Sequence, residues 1–154
     1  MTKEDIIAGV LKEFEGLAGH PRPSHHEKEV SDYIVGRLAE LGVTARQDDV
    51  YNIIADVPAT PGYENAPVTV LQGHMDMVCV SKPGVVYDPV KDPIKLVREG
   101  NILRADGTSL GADDGIAVAV SLYLLQQEIK HGPLRLIFTV DEETNMTGAT
   151  TLSA

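Results

Sequence analysis

The chain has 154 residues, 43% of them apolar and 23% charged, the size and balance of one soluble globular domain with a real hydrophobic core. Its net charge of −10 argues against binding to nucleic acid or anionic lipid and suits metal cations. One cysteine, Cys79, excludes an internal disulfide framework and a paired-cysteine zinc site. No run approaches the ~20 apolar residues of a membrane helix. The N-terminal stretch carries Lys3, Glu4 and Asp5 and lacks the apolar segment of a secretory signal, so a cytoplasmic location is expected.

Thr2 with Asp5 predicts a helix over residues 3–17, with Ile6, Ile7, Val10, Leu11, Phe14 and Leu17 at helical spacing. Gly19 to Pro23 is a break. Ser24 followed by Glu27 reads as a capping box opening a second helix that runs to Leu41, with Gly42 as its C-terminal cap. Short β-type runs follow at 43–47, 52–57 and 68–72. The turn-rich stretch 58–67 between the last two predicts a surface loop. Residues 95–98 and 102–104 flank Glu99-Gly100-Asn101 and predict a hairpin. Residues 116–129 predict a buried helix, being apolar on nearly every face as far as Gln126. Residues 134–140 read as a central strand. Helices interleaved with apolar strands predict an α/β layer structure with a mixed, largely parallel sheet. After Val140, residues 148–154 look like the opening of a helix that does not develop, and a sheet stopping there would be incomplete.

Three short segments carry the polar chemistry. Gln72-Gly73-His74-Met75-Asp76 follows a predicted strand, Gly111-Ala112-Asp113-Asp114-Gly115 precedes the apolar helix, and Asp141-Glu142-Glu143-Thr144 follows the central strand. Sites in open α/β sheets form beyond the carboxyl ends of strands. His74 offers a neutral imidazole nitrogen to zinc. Asp76, two residues on in extended chain, lies on the same side and can accept the other imidazole N–H. Asp113 and Asp114 repel unless a cation neutralises them, and one carboxylate can bridge two metals. Of Glu142 and Glu143, one can ligate metal while its neighbour acts as general base. Each segment alone also fits a plainer reading, as a structural His-x-Asp or as acidic residues favoured at a helix N-terminus. Their joint placement among glycines favours a metal site. His20, His25, His26 and His131 read as surface or helix-end residues, and Cys79 as a small core residue. No nucleophile elbow, Walker loop or dinucleotide fingerprint is present.

The segments 71–79, 107–119 and 141–149, together with 21–34, resemble the di-zinc exopeptidases of the carboxypeptidase G2 and aminoacylase superfamily. Within it they are most similar to the bacterial aminoacyl-histidine (Xaa-His) dipeptidases. The resemblance spans nearly the whole chain, with the motifs in order. It implies a three-layer zinc-exopeptidase fold, with residues 1–154 forming the N-terminal part of the catalytic domain. It implies two Zn²⁺ ions per complete site, with Co²⁺ or Mn²⁺ as substitutes. His74, Asp113 and Glu143 would be metal ligands, with Asp113 bridging and its peptide bond to Asp114 cis. Asp76 would orient His74, and Glu142 would be the general base. The implied reaction is hydrolysis of dipeptides with C-terminal histidine by a zinc-activated water. The family's remaining ligands, an aspartate further along and a histidine near the end of a much longer chain, and its lid or dimerisation domain fall outside these residues. The chain by itself is therefore expected to be weakly active or inactive. Asn145 stands where the family commonly has glycine. Two other readings are a non-catalytic module that binds metal or a partner, and a related N-acyl amino acid deacylase. An uncovered sheet edge or apolar face also predicts self-association into a homo-oligomer.

Overall fold

A computed structural model describes residues 2–152. Helix α1 (Lys3–Ala18) opens on the expected reciprocal cap, in which the Asp5 N–H donates to Thr2 Oγ1 and the Thr2 N–H to the Asp5 carboxylate. Helix α2 (Lys28–Glu40) starts without the capping box expected of Ser24 and Glu27. Both side chains are spent elsewhere: Ser24 donates to Asp76 and Glu27 accepts from the Asp141 backbone. The end of α2 follows the expectation. Gly42 takes φ +77°, its N–H donates to the Ala39 carbonyl, and the Val43 N–H donates to that of Leu38. That is the paired closure a left-handed glycine permits.

Strands β1 (Ala45–Gln47), β2 (Ile53–Val57), β3 (Thr69–His74) and β6 (Leu134–Thr139) form one sheet in the order β1-β2-β6-β3. Strands β4 (Leu96–Glu99) and β5 (Ile102–Ala105) make the predicted hairpin as a separate ribbon. The sheet is mixed. Its parallel part is the single pairing of β3 with β6, while β1–β2 and β2–β6 are antiparallel, so "largely parallel" is corrected for the described residues. The antiparallel share comes from β1 and β2, which are joined by a short turn that leaves no room for a crossover helix.

Alternation along β2 and β6 sorts the side chains. Ile53, Ala55, Leu136 and Phe138 share one face and are buried against Phe14 and Leu17 of α1, Val30, Ile34 and Leu38 of α2, and Val118, Ala119 and Leu122 of α3 (Ala112–Leu124). Helices α1 to α3 thus form one layer on one side. The other face carries Ile54 and Ile137 and a cross-strand Asp56–Arg135 ion pair. On this face Leu152, which follows α4 (Thr147–Thr151), lines an open cleft with Ile54 and Ile137, so among the described residues the helix layer is on one side and the expected third layer is not seen.

Helix α3 stops at Leu124, short of the predicted Ile129, and its outer residues Ile116 and Val120 are exposed. The reason lies in Gln126. Its amide donates back to the Leu122 carbonyl and across to Glu13, which also receives a two-pronged bond from Arg37. One buried carboxylate therefore ties α1, α2 and the end of α3 together. The Arg37 guanidinium holds Glu13 below its ordinary range, against the opposing effect of burial.

In the parallel pair His74 lies opposite Thr139, and the Met75 N–H continues the ladder to the Thr139 carbonyl at 2.8 Å. The carboxyl ends of β3 and β6 thus finish side by side, and the segments beyond them are neighbours.

Leu136→Ala should lower the unfolding free energy by about 2–5 kcal/mol, read from urea titration, because Leu136 is fully buried. Its neighbour Arg135, on the exposed face, should tolerate alanine with little shift in the midpoint.

Candidate metal centre

His74 ends β3 and is nearly buried. Its Nδ1 faces Asp76, 3.1 Å from the backbone oxygen and 3.3 Å from Oδ1. Its Nε2 faces outward, 3.2 Å from Asp113 Oδ1 and 3.7 Å from Glu142 Oε2. The ring therefore has an anchored side and a working side, as a ligating histidine requires.

Asp76 has no exposed surface. Its Oδ2 accepts from Ser24 Oγ at 2.7 Å and from the Glu143 N–H at 3.2 Å, and its Oδ1 accepts from the Glu142 N–H at 3.0 Å. Burial would raise its pKa. The hydrogen bonds from His74, Ser24 and the two amides prevail and hold it well below the usual carboxylate range.

The turn after β6 bends at Asp141, whose φ is +55°. The buried Asp141 carboxylate accepts from the Thr144 and Thr147 hydroxyls, and its N–H donates to Glu27 at 2.9 Å. Glu142 and Glu143 are thereby turned toward His74. His74, Glu142 and Glu143 each offer a ligand atom within 4.8 Å of the others, the one such cluster among the described residues.

Asp113 and Asp114 interrupt the helical geometry at the start of α3, and their peptide bond is cis, as the resemblance implies. The Asp113 side chain is 89% exposed and reaches His74 Nε2. Asp114 turns to Gly73, where a Cβ would meet its Oδ2 at 2.9 Å.

The structure thus gathers His74, Glu142 and Glu143, with Asp76 standing behind His74; Asp113, expected to bridge two metals, reaches His74 Nε2 but is not part of that three-residue group. The donor set of one imidazole and several carboxylates suits a divalent cation such as Zn²⁺. The electrostatics suit one too. Burial disfavours the charged imidazole, yet Asp76, Asp113 and Glu142 outweigh it and push His74 up to about 9.

The other histidines lie apart from this cluster. His20 stacks on Tyr33 and faces Glu29, and His25 lies 3.6 Å from Asp141. Ser24 and Glu27 brace the site although the sequence assigns them to a helix start. Their partners are 52 and 114 residues away, so no local pattern distinguishes the two uses.

Residues 70–154 match the family model described as peptidase family M20/M25/M40. The cytosol non-specific dipeptidase of Escherichia coli is 43% identical over 137 residues, which are 88% of this chain and 28% of that protein. The crystal structure of aminoacylhistidine dipeptidase from Vibrio alginolyticus superimposes with a TM-score of 0.90 at 42% identity, covering 96% of this chain and 30% of that one. Aminopeptidase PepT from Bacillus cereus gives a TM-score of 0.74 at 26% identity, covering 95% and 39%. The chain thus spans less than half the length of each of these relatives. No helix among the described residues is long and apolar enough to cross a membrane.

A cation that takes His74 Nε2 must displace a proton. Binding of Zn²⁺ or Co²⁺ should therefore release protons, and affinity should rise with pH up to about 9, close to tenfold per unit for one proton. Calorimetry in two buffers of different ionisation enthalpy measures this, and His74→Ala should abolish both the binding and the release. Asp76→Asn should loosen the site at its root. Asp76 contributes fully to stability above the ordinary carboxylate range and loses that contribution as pH falls from there toward its lower folded-state pKa. The asparagine variant should thus show a shallower acid decline in thermal midpoint than the wild type.

Proposed function

Because the chain belongs to peptidase family M20/M25/M40, we propose that residues 1–154 form part of the catalytic domain of a zinc-dependent dipeptidase acting on Xaa-His dipeptides of the β-alanyl-histidine kind. The observation that carries this reading is the convergence of His74, Glu142 and Glu143, with Asp113 on the outer face of the imidazole. The substrate class is supported by the 42% identity to an aminoacylhistidine dipeptidase. A cytoplasmic location is supported by the cytosol dipeptidase of E. coli.

His74, Asp113 and Glu143 are assigned as the ligands this chain supplies to a two-metal site. When bound there, Zn²⁺ would supply a Lewis acid for the scissile carbonyl and lower the pKa of water. The remaining roles fall to side chains. Asp76 fixes the ring of His74 by accepting at Nδ1, which leaves Nε2 free to face the site. Glu142 is the general base. Its backbone N–H is held by Asp76, while its carboxylate stays 41% exposed and within reach of both His74 and solvent. A base placed so can take a proton from water and pass it to the leaving amine.

The protein containing this chain, loaded with Zn²⁺, should release histidine from β-alanyl-histidine. Glu142→Gln should cut the rate by about 10²–10⁴-fold while zinc stoichiometry, measured by equilibrium dialysis, is unchanged. Zinc lost together with activity would make Glu142 a ligand and overturn its assignment as base. Absence of histidine release with other dipeptides still cleaved would overturn the substrate class.

A further inference from the structure

Arg22 lies in the connector between α1 and α2 and is fully buried. Its Nη1 donates to the Met75 carbonyl at 3.0 Å and its Nη2 to the Gly111 carbonyl at 2.6 Å. Its Nε is the one buried side-chain nitrogen or oxygen among the described residues without a hydrogen-bond partner. The two carbonyls are not arbitrary. Met75 stands between His74 and Asp76, and Gly111 stands two residues before Asp113. One guanidinium therefore spans the two chain segments that must present His74 and Asp113 to each other.

The surroundings are cut to admit it. A Cβ on Gly111 would meet Arg22 Nη2 at 2.5 Å, and one on Gly115 would meet it at 2.7 Å. These glycines flank the Asp113-Asp114 pair, so both ends of that loop are shaped around the guanidinium. Gly111 also has φ +68°, a conformation that disfavours any side chain. The backbone of Arg22 is fastened independently: its carbonyl accepts from the Met77 N–H at 3.1 Å, and Pro23 bridges to Met77. The connector thus rides on the 75–77 segment and reaches from there to the 111–115 loop. A planar guanidinium holds its two donors at a fixed separation, which a lysine ammonium does not.

We propose that Arg22 is a positioning residue whose bridge between the Met75 and Gly111 carbonyls sets the separation of His74 and Asp113. This rests on reading that cluster as a metal centre. Arg22 touches neither metal nor substrate and acts only through the two segments it ties.

The test compares wild type with Arg22→Met and Arg22→Lys by two readouts. The first is amide hydrogen exchange in metal-free protein. Arg22→Met should speed exchange across 111–115 while the strands β2 and β6 keep wild-type protection. The second is Co²⁺ affinity and visible absorption. Arg22→Met should weaken Co²⁺ binding by about 10–100-fold with an altered spectrum, and Arg22→Lys, which keeps the charge but not the fork, should not restore either. Unchanged affinity and exchange with only a lowered thermal midpoint would overturn the proposal, leaving Arg22 a packing residue. Recovery of affinity by lysine would overturn it in favour of charge alone. If Arg22→Met does not fold, Gly115→Ala, which crowds the guanidinium, is judged by the same criteria. If wild type binds no Co²⁺, the metal reading falls, and exchange alone still decides whether Arg22 ties the segments.

Discussion

A carboxylate removed from water must be surrounded by donors or give up its charge. Asp76 keeps its charge by drawing donors from three separate parts of the chain: the Ser24 hydroxyl, the Glu142 and Glu143 amides, and the imidazole of His74. None of the three can shift without exposing the others to that cost. The connector after α1, the turn after β6 and the end of β3 are therefore one mechanical unit. The parallel pairing of β3 with β6 makes this possible, because among the described strands only these two neighbours end side by side at the same edge.

Much of this was legible in the sequence, for identifiable reasons. His-x-Asp after an apolar run, a glycine-flanked Asp-Asp before an apolar helix, and Asp-Glu-Glu after a central strand each mark a strand or helix terminus by local pattern alone. The cap at Thr2 and the stop at Gly42 are also local, and both appear in place. Where long-range partners compete, local pattern misleads. Ser24 and Glu27 have the spacing of a capping box, yet each finds a stronger use in a buried carboxylate or a buried amide far along the chain. Gln126 ends α3 early because Glu13 of α1 claims its amide. Arg22 sits in a stretch whose prolines and glycine announce only a break, and nothing nearby in the sequence reveals the two carbonyls it meets.

The sheet divides labour between its faces. Ile53, Ala55, Leu136 and Phe138 hold the helices by burial, while the site occupies the strand ends rather than either face. Site chemistry and core packing therefore draw on different residues. The exceptions are glycines such as Gly73, Gly111 and Gly115, where the site needs space that any side chain would fill.

The contrast in exposure between His74 and Asp113 has a consequence for the order of events in the life of the chain. The rear wall of the centre is made by hydrogen bonds within the protein and is finished when the fold is finished. Its front, with Asp113 almost wholly in solvent, is open. The wall behind His74 is held by the protein's own hydrogen bonds and so needs no ion to assemble, unlike a zinc finger, whose chain does not fold without its metal.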